Sequence, residues 1–151
     1  MAKPLEELRE QLSAIEPDER TYAGIGPADV PALRTLLEEE EGWLAGRAVF
    51  ALALVGDRAA ADALREASTS SREEVRVAVA ASADRLAPEL SDAVLAPLLD
   101  DEVTAVRKFA IRAVSPASDP GLRARVAGLA RSERNAAVRA GALTRTEQLG
   151  G

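Results

Sequence analysis

In the stretch TAVRKFAIRAV, the apolar residues Val106, Phe109, Ala110, Ala113 and Val114 fall at offsets 0, 3, 4, 7 and 8. Those offsets trace one face of a 3.6-residue period, whereas a strand would alternate from one residue to the next. Three other runs, WLAGRAVFALAL, EEVRVAVAASA and AAVRAGAL, have the same form. Each carries an arginine near its start, and Arg47, Arg76, Arg107 and Arg139 lie 29, 31 and 32 residues apart. A second amphipathic segment precedes each run: DVPALRTLLEE (29–39), AAADALREAS (59–68), SDAVLAPLLDD (91–101) and GLRARVAGLA (121–130). The unit is therefore a pair of helices, and a period near thirty predicts a stack of such pairs.

Caps and breaks agree with that division. Ser71 followed by Glu74 offers a capping box for the second helix of the second unit. Asp119-Pro120 supplies an N-cap and a preset first turn for the fourth unit, and Gly26-Pro27 opens the first in a similar way. Breaks fall at Gly56-Asp57, Ala87-Pro88, Ser115-Pro116 and Gly150-Gly151. The expected organisation is one domain over 1–151, with repeats at 27–57, 58–87, 88–116 and 117–151. Residues 1–26 form an N-terminal cap helix and connector. In that helix Leu5, Leu8, Leu12 and Ile15 share a face, which suits a terminal element covering the apolar end of a stack. A dimerisation helix is the alternative.

The recurring motif is an acidic or polar residue at the inter-helix turn, then Arg six positions later following Val, then small residues three and six beyond. In this respect the chain resembles the HEAT-repeat family, including its bacterial HEAT-like variants. The residues six before the arginines are Glu41, Ser70, Asp101 and Glu133. The third unit fits throughout, with Asp101, Val106-Arg107, Ala110 and Ala113. The others depart: Gly46 stands in the Val slot, Phe50 and Val79 take the first small slot, and Arg145 takes the second small slot of unit four. The resemblance implies an all-α fold, an α-solenoid of about four helical hairpins with an N-terminal capping helix. In such a stack Arg47, Arg76, Arg107 and Arg139 are expected to form a structural ladder, each reaching polar groups at adjacent turns, with a ligand-binding role as the alternative.

Composition narrows the chemistry. Apolar residues make up 47% of the 151 and aromatics only 3%, so Ala, Leu and Val must fill the core and let backbones approach closely. Only Lys3 and Lys108 among the 19 basic residues are lysines, a bias expected of a GC-rich genome. Cysteine and histidine are both absent, which removes disulfides, thiolate sites, the commonest metal ligand and the commonest general base. GIGPAD at 24–29 has too few glycines for a phosphate-binding loop. The run Glu38–Glu41 reads as a solvated helix end, because consecutive helical residues point in different directions. No enzyme, cofactor or metal site is expected. The start lacks a signal sequence and no run is long and apolar enough to span a membrane, so a cytoplasmic protein is expected.

Charge is unevenly shared: residues 1–100 hold ten Lys+Arg against twenty Asp+Glu, and residues 101–151 hold nine against five. The acidic and basic ends would orient a partner. The function expected is non-catalytic protein binding, as adaptor, scaffold or accessory subunit, through the concave face of the second helices. Positions one and five beyond each motif arginine are Ala48 and Leu52, Val77 and Ala81, Lys108 and Arg112, Ala140 and Thr144. Of these, Leu52, Val77, Lys108, Arg112 and Thr144 are the expected partner contacts; the alternative is that tight curvature, or a register shifted by one residue, hides the row in the core. Phe50 and Phe109 read as core residues, as does Trp43, for which an exposed contact is the alternative. A nucleic-acid-binding HEAT-like module using the basic C-terminal third ranks second: the resemblance supplies precedents, but aromatics for base stacking are scarce.

Overall fold

The computed structural model describes residues 2–40 and 42–150, and these contain nine α-helices, three short 3-10 turns and no strand. Helix α1 (Leu5–Leu12) precedes four antiparallel hairpins. They are α2 (Val30–Glu39) with α3 (Gly42–Val55), α4 (Arg58–Ala67) with α5 (Glu73–Ser82), α6 (Pro88–Leu98) with α7 (Thr104–Ala113), and α8 (Pro120–Ser132) with α9 (Ala136–Gln148). Second helices pack in the order α3, α5, α7, α9, and α4 packs on α6. The chain is thus an α-solenoid.

One apolar cluster runs from Leu8 in α1 to Ala142 in α9. Its largest wholly buried members are leucines, among them Leu33, Leu36, Leu64, Leu95 and Leu98, while alanines such as Ala45, Ala60, Ala80 and Ala110 occupy the close approaches. Small residues let helices come together and the leucines then fill the space between layers.

Local signals are realised unevenly. Asp119 accepts a hydrogen bond from the Gly121 N–H with Pro120 in the first turn of α8, and Asp57 and Asn135 cap α4 and α9. Gly26-Pro27 opens a 3-10 turn whose Asp29 carboxylate accepts from the Gly26 N–H, and α2 follows directly. The Ser71–Glu74 capping box does not form. Residue 72 is the N-cap of α5 without a side-chain cap bond, and Glu74 pairs instead with Arg72. Ser71 is exposed, and the Arg72 N–H donates to the Ser70 hydroxyl at 3.1 Å.

Helix α1 lies on α2 and α3 with Leu8 and Leu12 wholly buried. Ile15 does not join them: the helix stops at Leu12, the chain turns at Ser13, and Ile15 is 96% exposed. Glu38 and Glu39 are exposed, and Glu40 pairs with Arg9 of α1 at 2.5 Å. Glu41 lies outside the described residues.

Candidate partner-binding surface

Two arginines tie neighbouring hairpins together in the same way. Arg76 donates from Nε and Nη2 to the Asp101 carboxylate, at 2.7 and 3.3 Å, and from Nη1 to the Ser70 carbonyl. Arg107 donates to the Glu133 carboxylate at 2.8 and 2.6 Å, and from Nη1 to the Asp101 carbonyl at 2.9 Å. Each guanidinium therefore grips the carbonyl six residues before it and the acidic residue at the next hairpin's turn. The acids are held from their own side too, by the Val103 and Asn135 N–H groups. Fork-to-carboxylate pairing of this kind satisfies both partners in a poorly solvated place.

The electrostatics follow. The hydrogen bonds from Arg107 hold the Glu133 carboxyl below its ordinary range, against the opposing effect of burial and with help from the Asn135 N–H. For Asp101 burial is the largest single influence and pushes upward. The bonds from Arg76 and Val103, with the charges of Arg76 and Arg107, outweigh it and leave the carboxyl lowered. Arg76 and Arg107 are raised by the same carboxylate bonds.

Arg47 and Arg139 differ. The turn residue ahead of Arg47 is Ser70, which offers no carboxylate, and Arg47 instead donates to the Leu12 carbonyl at 2.7 Å and to that of Ala14, at the end of α1. The first and second hairpins are joined by Arg72, which sequence reasoning passed over. It donates to the Leu37 and Glu40 carbonyls at the end of α2, at 2.9 and 2.6 Å. Arg145, in a slot that calls for a small residue, does the equivalent at the end of α7 by donating twice to the Val114 carbonyl. No residue spacing marks these contacts, because their acceptors are backbone oxygens.

The redirected Arg47 accompanies a turn of α3 about its axis. Gly46, not Arg47, faces α5, where an added Cβ would sit 3.8 Å from that of Ala78. One residue of helix corresponds to about 100°, so the row one and five beyond Arg47 is rotated inward. Leu52, expected on the partner-binding row, is instead wholly buried at 0% exposure, as is Ala48. The helix tolerates this because it is apolar nearly all round and is packed by α1, α2, α4 and α5.

The outward row of α3 is Trp43, Phe50 and Leu54. Trp43 is 59% exposed with the Arg47 guanidinium 4.5 Å from its ring centre, which overturns the core assignment. Phe50 is only partly buried, meets Tyr22 edge-on at 4.9 Å and lies under Arg85. Together with Pro17 and Leu54 they line an open groove. Burial raises the Tyr22 hydroxyl above its ordinary pKa, against the charge of Arg47.

On later helices the expected row does face outward. Val77 is half-buried and Ala81 exposed on α5. Lys108 and Arg112 are exposed on α7 and share a groove of about 600 Å³ with Thr144, Gly141 and Gln148 of α9. The structure thus brings Lys108, Arg112 and Thr144 together, sets Val77 one helix away, and withdraws Leu52. Phe109, expected in the core, is partly buried and packs against it, with Lys108 and Arg112 within 6 Å of its ring centre. Neither cation has a carboxylate partner among the described residues.

A family model of HEAT repeats matches residues 30–115, from the start of α2 to the end of α7. The chain belongs to the HEAT-repeat family. HEAT repeats generally serve as protein-interaction modules and are typically non-catalytic. The matched span holds the Arg76–Asp101 pair and Arg107, while the fourth HEAT-like hairpin, α8–α9, extends the same packing beyond it. No curated protein matches the chain. No helix among the described residues is long and apolar enough to cross a membrane.

Proposed function

We propose that this HEAT-repeat protein is a non-catalytic adaptor, scaffold or accessory subunit that binds a protein partner across the concave face formed by its second helices. The observation that carries the reading is the exposed row itself: Trp43 and Leu54 at one end, Lys108 and Arg112 at the other, with Val77 and Ala81 between. Contiguous exposed apolar patches mark interaction sites, and Trp and Arg are among the residue types enriched at the energetic centres of interfaces. A fitting partner offers an apolar patch to Trp43, Leu54 and Val77 and acidic side chains to Lys108 and Arg112. Charge then guides approach and register while apolar burial holds the complex.

The test is quantitative capture from the native source with the parent chain and with Lys108→Glu/Arg112→Glu. The expected result is at least a tenfold loss of the captured protein with an unchanged melting temperature. Equal recovery moves the interface off this row. Titration with random duplex DNA checks the alternative. Affinity at about 150 mM salt well beyond the ~10⁻⁴ to 10⁻⁶ M of nonspecific binders, falling steeply with further salt, would favour the nucleic-acid-binding module.

A further inference from the structure

The chain carries a net charge of −6, yet no acidic residue lines the groove of about 600 Å³ between α7 and α9, whereas Lys108, Arg112 and Arg145 all do. Lys108 and Arg112 stand about one helical turn apart on α7, a like-charge placement that disfavours the helix. No carboxylate among the described residues pairs with either of them to relieve it. Arg145, fixed by the Val114 carbonyl and by Gln148, brings a third positive charge from α9. Between these cations α9 presents Ala137 and Gly141. A Cβ added at Gly141 would meet nothing within 4 Å, so internal packing does not call for glycine there, and its bare backbone widens the groove. Thr104, Asn135, Thr144 and Gln148 add hydroxyls and side-chain amides to the lining.

We infer, resting on the partner-binding reading above, that this groove takes an extended segment of the protein partner with carboxylates at alternate positions. Charge complementarity selects the carboxylates, and spacing sets their alternation. Four residues of helix rise about 6 Å, and side chains on one side of an extended chain recur about every 6.6 Å. Two successive carboxylates therefore meet Lys108 and Arg112 in turn. The polar lining selects the extended backbone. A helix satisfies its own N–H and C=O groups, whereas an extended chain must find partners for them. The Thr104 and Thr144 hydroxyls offer such partners, as do the amide NH2 groups of Asn135 and Gln148, whose oxygens are already taken by the Val138 N–H and by Arg145. Ala137 and Gly141 leave room for that backbone to come close. Each exposed ion pair contributes little by itself, so selectivity comes from aligning several of them and from the repulsion a basic segment would meet.

The probe is the capped peptide Gly-Asp-Ala-Asp-Ala-Asp-Gly, too short to hold a helix in water. It is titrated into the isotope-labelled full chain and followed by amide chemical shifts. Saturable shifts along the facing sides of α7 and α9 are expected, with submillimolar affinity at low salt. Affinity should fall at least tenfold when Asn replaces Asp in the peptide, and equally for Lys108→Glu/Arg112→Glu. Gly141→Leu, which narrows the groove and keeps every charge, should weaken binding at least threefold at an unchanged melting temperature. No shifts at millimolar peptide, or binding indifferent to Gly141→Leu, overturns the groove as the site. Tighter binding of an alanine-based helical peptide with Glu at every fourth position overturns the extended backbone, and tighter binding of a short oligothymidylate overturns the protein partner. Capture from the native source separates the two failures. If Lys108→Glu/Arg112→Glu loses the captured protein while the acidic peptide fails to bind, the partner reading stands and this segment does not. Equal recovery removes the partner reading itself.

Discussion

Leu8 and Leu12 at one end of the stack and Leu143 at the other are all apolar helix residues, yet the first two are wholly buried and the third is half in water. The first end is closed twice over. Helix α1 covers α2 and α3, and Arg47 fastens the carbonyls at its terminus. At the second end Arg139 and Leu143 repeat the register of Arg107 and Ile111 on α7, with nothing described across from them. A repeat cannot bury its own forward face, so identical motif residues acquire opposite environments from position in the stack alone.

The contrast can be broken most forcefully at the closed end. Deleting residues 1–15 removes two buried leucines and uncovers their neighbours. At about 1.5 to 3 kcal/mol for each such side chain, urea denaturation should show a loss of roughly 3 to 6 kcal/mol. If the shortened chain were as stable as its parent, α1 would not be a cap.

Next comes the ladder. Arg107→Ala leaves Glu133 buried and unpaired, for which about 3 to 5 kcal/mol is the expected loss, measured in the same way. Arg139→Ala, with the same motif position but an exposed side chain, should stay within about 0.5 kcal/mol. Similar values for the two would dissolve the distinction between filled and open rungs.

Acid sharpens the same point. Asp101 and Glu133 have lowered carboxyl pKa values in the folded chain. The stability they contribute is therefore complete above the unfolded values of about 4 and drains away as pH falls through the lower folded values. Thermal melts should hold steady from neutrality to about pH 5 and drop below pH 4. In Asp101→Asn/Glu133→Gln, already weaker at neutrality, the acid-induced drop should be smaller. The smallest effect belongs to Leu143→Ser, expected to leave stability nearly unchanged, whereas Ile111→Ala should cost about 2 to 4 kcal/mol.

Much of this fold could be read from spacing. The hairpins, the break points and the two strongest rungs follow from the recurrence of Arg after Val with an acid six before, because a helix face and a carboxylate partner both leave marks at fixed intervals. What escaped were features without such marks. Arg72 and Arg145 bind carbonyls, and any residue type can present a carbonyl. The axial turn of α3 escaped because Leu44, Ala48, Val49 and Leu52 populate more than one face, so periodicity could not decide which side looks out. With that turn went Leu52, and Trp43 came to the surface in its place. Thr144 joined Lys108 and Arg112 because α9 keeps the register of α7, where only one face is apolar.

The forward-reaching rungs also give the molecule a direction. Seven buried side chains anchor α3, whereas α8 and α9 have two each, so the least costly excursion from the native state is detachment of the last hairpin. Once it lifts, Arg107 loses Glu133 and Ile111 meets water, which lowers the cost of releasing α6 and α7 in turn. Amide protons should accordingly exchange with solvent in a graded sequence, α9 first, α7 and α5 later, α3 last, the chain unzipping from its basic end toward its acidic one.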